Sequence, residues 1–474
     1  MKMHGMVDIR RQRGAFMVMM ALLIVVLIGI AALALDVGRV VALRAEMQNA
    51  VDAAALAGAV ELNGKDGARL RARAAARNAL IHDSRYAQVA ELLGDTALPD
   101  EAFEYFCIIG AKNDVSDADA PGYCAGSATA PRLWPATNDA ETHYLRVRLD
   151  PEVADHFRID LIFLPVLQVF GIDPATVVAL SATATAGRHF YECNYPPMVL
   201  CDPFEGTGTT FKEAMVAGQA IKLRDQGGGA SFWASGNFGF LVPRSGDPGA
   251  PEVALYLADE GLTGCSPPRI ETEPGQMTGP TTSAINTRFD QYNPPNPFNR
   301  SDAPARWPPA PNVMAYGNDA TNRPMSGAVA TSDRFGNGDW DFDAYWAAYH
   351  APAPKPNAWS NANRPKRWDV YMWEIDNGAI PVSGQPDPAH LYTGDYPPPR
   401  SVPERRVLHV AVASCITLGI HGSSEATLYE PDGFARLFLY RPADGPPSAT
   451  IYAEYMGWST EEDAHYHVDV QLYQ

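Results

Sequence analysis

The first sixty residues carry two successive apolar patterns. Residues 15–35, AFMVMMALLIVVLIGIAALAL, contain no charge, no proline and no strongly polar side chain. At about 1.5 Å per residue, a helix of that length crosses the roughly 30 Å hydrocarbon layer of a bilayer. Beyond Asp36 the run narrows to a stripe: Val40, Leu43, Met47, Val51 and Ala54 recur at three- and four-residue steps, with Arg39, Arg44, Glu46 and Asp52 elsewhere around the turn. Together the two parts predict one continuous helix over residues 15–60. Its outer half is rich in small side chains, and Ala50, Ala54, Ala57 and Gly58 are the candidate helix-packing residues, because small residues four apart let another helix approach closely. Alanine's high helix propensity accounts for the same composition without a partner.

Further along, the pattern changes period. Residues 65–81 predict a helix whose Arg69, Arg73 and Arg77 form a solvated face. Residues 103–109 and 143–149 read as strands, and residues 177–186 as a small-residue strand. Residues 159–172 are apolar but contain Asp160 and Pro165, which predicts a buried or interfacial helix rather than a second span. From residue 191 the composition shifts: 23 of the 40 prolines lie between Pro267 and Pro403, which interrupts long helices and favours loops. Strands are expected at 368–375, 407–414, 435–440, 450–455 and 466–472. The fold class that follows is α+β: a single transmembrane helix continuing into a stem helix, a small α+β module, then a β-rich, loop-rich domain. The expected organisation is 1–14 basic N-terminus, 15–35 span, 36–190 stem and module, and 191–474 exported domain.

Charge orients this arrangement. Arg10, Arg11 and Arg13 precede the span, so the N-terminus is expected in the cytoplasm and everything after Asp36 outside, in the periplasm or beyond the cell. Ala32-Leu33-Ala34 satisfies the small-x-small cleavage pattern, which leaves a cleaved signal peptide as the alternative, although the apolar run exceeds the usual length of such a signal. A formal net charge of −18 argues against nucleic acid as a partner. The six cysteines show no zinc-ligand spacing; in an oxidising compartment disulfides are the default, and the short loop between Cys107 and Cys124 makes that pair the candidate bridge.

Residues 10–60 resemble the N-terminal segment of the TadE/TadG-like proteins of bacterial Flp (tight adherence) pilus systems, TadG in particular. The resemblance rests on Arg10 with Gly14, on Asp36-Val37-Gly38-Arg39, and on MQNAVDAAALAGA over residues 47–59. Residues 142–188 resemble the strand, helix and strand that close the module in such proteins, and CDPFE, GNFGFL, INTRFDQY, DVYMWEI and RRVLHVAVASC resemble, more distantly, the C-terminal half of TadG-related proteins. Two departures limit what the resemblance implies. Met19 stands where processed pilins of such systems carry a glutamate, and Asp202-Pro203-Phe204-Glu205-Gly206 lacks the serines of a von Willebrand A metal site. The resemblance implies a non-enzymatic, membrane-anchored envelope protein that supports assembly or anchoring of a Flp-type pilus, with partners among other pilus-assembly or envelope proteins at the inner membrane. The alternative is a membrane-anchored surface module unrelated to pilus assembly that binds glycan or protein through Trp340, Tyr345, Trp346 and Tyr349.

Candidate chemistry adds little. EGTGTTFKEA, residues 205–214, lacks the lysine of a phosphate loop and reads as a glycine turn. Asp339, Asp341 and Asp343 alternate as calcium ligands can, but the glycine and closing glutamate of an EF-hand are missing. His465, His467 and Asp469 share one face of a terminal strand, the wet face of that strand being the ordinary reading. No catalytic motif, cofactor site or nucleotide fingerprint is expected.

Overall fold

The computed structural model describes residues 9–80, 98–109, 133–139, 141–152, 158–171, 173, 176–193, 195–202, 204–205, 209–224, 239–258, 265, 270–275, 277–317, 338–382, 385–390, 403–415, 420, 427–428, 433–447, 449–460, 462–463 and 465–473. It is a mixed α+β protein, with a long apolar N-terminal helix followed by a β-rich domain. The chain forms two compact units, residues 1–189 with 469–474, and residues 190–468.

In the first unit, helix α1 (Ile9–Val60) runs unbroken for 52 residues. Residues 16–35 of it are almost entirely exposed, and by length and composition this part of the helix is apolar enough to cross a membrane. The second half is different: Leu43, Met47, Ala50, Val51, Ala54, Ala55 and Ala59 are buried, following the sequence stripe. They pack with Ala72 and Ala76 of α2 (Ala68–Ala79) in one core. A five-stranded sheet supplies the other wall. Its strands are β1 (Phe103–Ile109), β2 (Leu133–Pro135), β3 (Tyr144–Leu149), β6 (Ala182–Glu192) and the chain's last strand, β14 (Tyr466–Tyr473), in the order β14-β6-β3-β1-β2. Leu145, Val147 and Leu149 of β3 alternate into the core while Arg146 and Arg148 pair with Glu104 on the other face, as a half-wet antiparallel strand should. The exposed row on α2 is paired as well: Arg69 with Asp139, and Arg73 and Arg77 with Asp100.

Two expectations change here. Residues 177–186 form two strands, because β5 (Val177–Ala179) pairs with β4 (Arg158–Asp160) whereas β6 pairs with β3. Residues 159–172 do not form a single helix; β4 leads into a 3-10 turn at Leu164–Phe170, started by Pro165, which fixes its own φ and has no amide to leave unpaired.

The second unit is built on the sheet β7-β10-β12-β13-β8, comprising β7 (Val199–Cys201), β8 (Ala220–Arg224), β10 (Val407–Ala413), β12 (Gly433–Leu439) and β13 (Ile451–Trp458). Only β7 and β10 run parallel. Both faces are covered. Ala435, Leu437, Leu439, Ile451, Ala453 and Tyr455 enter one apolar cluster, while Phe438, Tyr440 and Tyr452 enter an aromatic cluster with Trp340, Tyr345 and Trp346. That double burial is why these strands read as nearly continuous apolar runs. Disulfides Cys193–Cys265 and Cys201–Cys415 close loops of 72 and 214 residues. Cys107 is also disulfide-bonded, and its expected pairing with Cys124 lies outside the described residues.

The aromatic face also holds the largest departure from expectation. Residues 368–375 fold not as a strand but as helix α8 (Arg367–Asp376). Arg367, Val370, Tyr371 and Glu374 are its buried positions, at steps of three, one and three, so the tertiary environment selects the helical period over the strand propensity of Trp, Val and Tyr. Glu454 of β13 seats the helix: its carboxylate accepts the Arg367 amide at 2.9 Å and the Trp368 amide at 3.0 Å, and lies 3.2 Å from Arg367 Nη1. Burial pushes the Glu454 carboxyl up, with Arg367 opposing. Removing one member of a buried pair typically costs about 3–5 kcal/mol, because the other charge stays buried without its partner. Glu454→Ala is therefore expected to lower the urea midpoint of the tryptophan fluorescence transition markedly. Arg367→Met alone should lower it by less, because the Glu454 carboxylate keeps the Arg367 and Trp368 amides, whereas Glu454→Ala loses both amide acceptor and ion pair; equal losses in the two variants would show that the amide bonds contribute nothing.

Candidate functional site

A concentrated polar arrangement in the first unit lies where α1 leaves its apolar half. Asp36 is 1% exposed, and its carboxylate accepts three successive backbone amides from a segment 126–128 residues later: Ile162 at 3.1 Å, Phe163 at 3.0 Å and Leu164 at 2.7 Å. Phe163 and Leu164 are the cap and first residue of the turn, whose amides have no partner inside it, and Ile162 leads into them. One turn along α1, Arg39 donates to the Asp160 carbonyl at 3.0 Å, and further on Gln48 donates to the Thr183 carbonyl at 3.0 Å and to Asp52 at 2.7 Å. On the apolar side of Asp36, Gly29 leaves room for Leu167, whose Cδ2 would stand 3.4 Å from a side chain's first carbon there.

The small-residue positions belong to the same structure. Ala50, Ala54 and Gly58 are buried and Ala57 is half-buried. What approaches Gly58 is the module of the same chain: a Cβ at that position would run into Leu145 of β3 first, and would lie 2.9 Å from the Ala72 carbonyl oxygen and 3.3 Å from the Ala76 Cβ of α2.

Residues 14–61 match the Tad family model, Flp pilus-assembly TadE/G-like. The chain begins with a TadE/G-like segment. No curated protein and no solved structure matches the chain. Within the TadE/G-like segment, four of the residues that carry the resemblance bind α1 to its module: Asp36, Arg39, Gln48 and Gly58 each meet a partner in residues 72–183. Sequence reasoning found these positions but not their partners. The available signal was Pro165 in an apolar run, marking the start of a turn whose first amides need an acceptor.

The remaining candidates lie in the second unit. Asp341 caps α7 (Phe342–Tyr349) through the Ala344 amide and accepts from Asn361, Asp343 binds Lys355 and the Asn361 amide, and Asp339 binds Arg364. Side-chain bonds from Asn361 and Lys355, in that order, hold Asp341 and Asp343 below the usual carboxylate range. Protein donors thus occupy the three carboxylates that alternate in sequence, and among the described residues no group of three or more His, Cys, Asp or Glu is placed to hold a metal ion. Trp340, Tyr345 and Trp346 are buried; Tyr349 alone of that quartet is exposed, so the four cannot form a contact surface together. Asp202 accepts the Phe204 amide at 2.8 Å and the Phe211 amide at 3.2 Å, and burial raises its pKa.

A cavity of about 250 Å³ in the second unit gathers titratable groups, among them Arg288, Glu404, His409, Arg436, Asp463 and His465. His409 Nδ1 lies 2.5 Å from Glu192 Oε1 and 3.0 Å from Ser459 Oγ. Carboxylate and hydroxyl meet the same ring nitrogen, so the imidazole does not bridge them as in a serine hydrolase, where opposite nitrogens are used. His465 stacks edge-on to His409 with ring centroids 4.9 Å apart. Burial pulls the His465 pKa down, His409 and His467 add to it, and Glu192 and Asp463 oppose.

Two outcomes follow. Asp36→Ala should speed amide exchange at residues 162–164 roughly 10- to 100-fold, since a hydrogen bond to a charged group contributes about 1.5–3 kcal/mol; unchanged exchange would remove the clasp. For His465, the folded pKa lies below the unfolded value of about 6.5, so the unfolded chain takes up the proton first and stability falls as pH drops through about 6.5. The loss in Tm of the second unit between pH 7.5 and pH 5.5 should be smaller in His465→Asn than in the natural chain.

Proposed function

We propose that this protein is a non-enzymatic, single-pass envelope protein that supports assembly or anchoring of a Flp/Tad-type pilus. The observation that carries the reading is the Tad match over residues 14–61. The apolar half of α1 supports anchoring in the inner membrane, and Arg10, Arg11 and Arg13 before it support a cytoplasmic N-terminus. Cys193–Cys265 and Cys201–Cys415 fit a body held in the oxidising periplasm or outside the cell. The geometry around His409 supports a structural rather than a catalytic body. On this reading the TadE/G-like segment is a rigid post: its outer half is braced by its own module, and the body beyond it meets other pilus-assembly or envelope proteins.

Deleting the gene should reduce piliation and surface attachment, and the natural chain should restore both. Asp36→Ala should restore them less well at equal protein level. Unchanged piliation in the deletion strain would overturn the reading. The N-terminal sequence of mature protein from membranes should begin before residue 15, because a retained anchor keeps the whole of α1; a start after Ala34 would mean a cleaved signal.

A further inference from the structure

Residues 161–171 leave β4, turn through Leu164–Phe170 and come back toward β5, forming a hook on a two-stranded stalk. Apart from the exposed Gln168, its surface is apolar where a segment in water would be polar. Ile162, Phe163 and Val166 are 42%, 41% and 47% exposed, while the stalk carries Arg158 and Asp160. The position of the hook along α1 is set by two contacts. Its first amides are held by Asp36, and Leu167 rests at Gly29, seven residues back into the apolar run, or about 10 Å along the helix axis. Ala32, buried although its neighbours Leu33 and Leu35 are exposed, lies on the same face as Gly29 and Asp36.

We propose that this hook is re-entrant: it inserts into the outer leaflet of the bilayer that α1 crosses, with Ile162, Phe163 and Val166 against acyl chains. The inference rests on the membrane-anchor reading above. Its occupant follows from continuity with the span, because whatever solvent surrounds α1 at Gly29 also surrounds a segment packed on α1 at that level. Non-helical backbone reaches such depth only with its polar groups satisfied by protein. Here Asp36 takes the amides of 162, 163 and 164, Leu161 donates to the Thr176 carbonyl at 2.8 Å, Val166 to Phe163 at 3.2 Å and Gly171 to Gln168 at 2.9 Å, and Pro165 has no amide. Arg39, donating to the Asp160 carbonyl, stands at the polar end of the stalk, where the headgroups would be.

The test uses full-length protein with an environment-sensitive fluorophore on a single introduced cysteine, at Phe163→Cys, Val166→Cys, Leu23→Cys within the span, or Val382→Cys, which is 88% exposed in the second unit. Each variant is reconstituted in vesicles of phosphatidylethanolamine and phosphatidylglycerol, with and without lipids carrying a nitroxide on the acyl chain. The hook predicts blue-shifted emission at 163 and 166, at least twofold quenching by the nitroxide lipids, stronger with the label near the headgroup than near the chain end, and no quenching at 382. Quenching at 23 but not at 163 and 166 overturns the hook and leaves the anchor standing. Blue-shifted emission without quenching at 163 and 166 overturns it in favour of a protein cover, and absence of quenching at 23 overturns anchor and hook together. Amide exchange at 162–164, unchanged from the natural chain, shows that each variant keeps the clasp.

Discussion

Each backbone amide or carbonyl taken out of water needs a partner, and at several places where this chain leaves regular structure a charged side chain supplies it. In α1 the helix satisfies itself over 52 residues. The trouble begins at the segment that folds back onto it, whose opening turn presents three unpaired amides beside an apolar surface. One carboxylate, Asp36, answers all three. A neutral acceptor at that position would offer less, since hydrogen bonds to an ionised group are shorter and roughly twice as strong.

The second unit meets the same constraint with the opposite charge. Prolines remove amide donors, so a proline-rich chain leaves carbonyls without the ladders that would normally take them. Buried arginines fill the gap. Arg406 donates to the carbonyls of Leu439, Asn312 and Met314, Arg405 to those of Pro308 and Ala258, and Arg288 to those of Arg405 and Leu257. Aromatic rings of Phe289, Tyr371 and Phe438 surround the Arg406 guanidinium, and burial lowers its pKa. The buried Glu374 carboxylate, with Asn312, Tyr316, Tyr345 and His350 around it, orders the loops on the aromatic face in the same way. Such fixed loops hold a defined surface without regular secondary structure.

The arrangement joins an apolar helical half, long enough to cross a membrane, to a stem braced by its own module. The stripe that could seat a neighbouring helix already seats α2 at Gly58, and the polar positions of the TadE/G-like segment tie the post to its module. Force or position transmitted along α1 would therefore reach the module directly, because a packed core and a set of charge-assisted hydrogen bonds have little give.

Much of the local structure could be read from the residues. The 3.6-residue stripe placed α1, the four-residue arginine repeat placed α2, alternation placed β3, and apolar runs placed β1, β10, β12 and β13, because each of these elements buries one face or both against something apolar; the short β7 and β8 carried no such signal. Trp368 to Ile375 misled, since its side chains suit a strand and only Glu454, 87 residues beyond Arg367, seats them as a helix. The return of the last six residues to the first unit was invisible for a similar reason: a period-2 pattern says that a strand exists, not which edge it joins. What the sequence determined by itself was the long apolar helix, its stem and most of the strand-forming runs, all set by spacing along the chain. Only the tertiary structure decided that Asp36 is a clasp, that residues 161–171 lie along α1 and that the three aspartates are occupied by protein partners, because each of these depends on groups brought together across tens of residues or more.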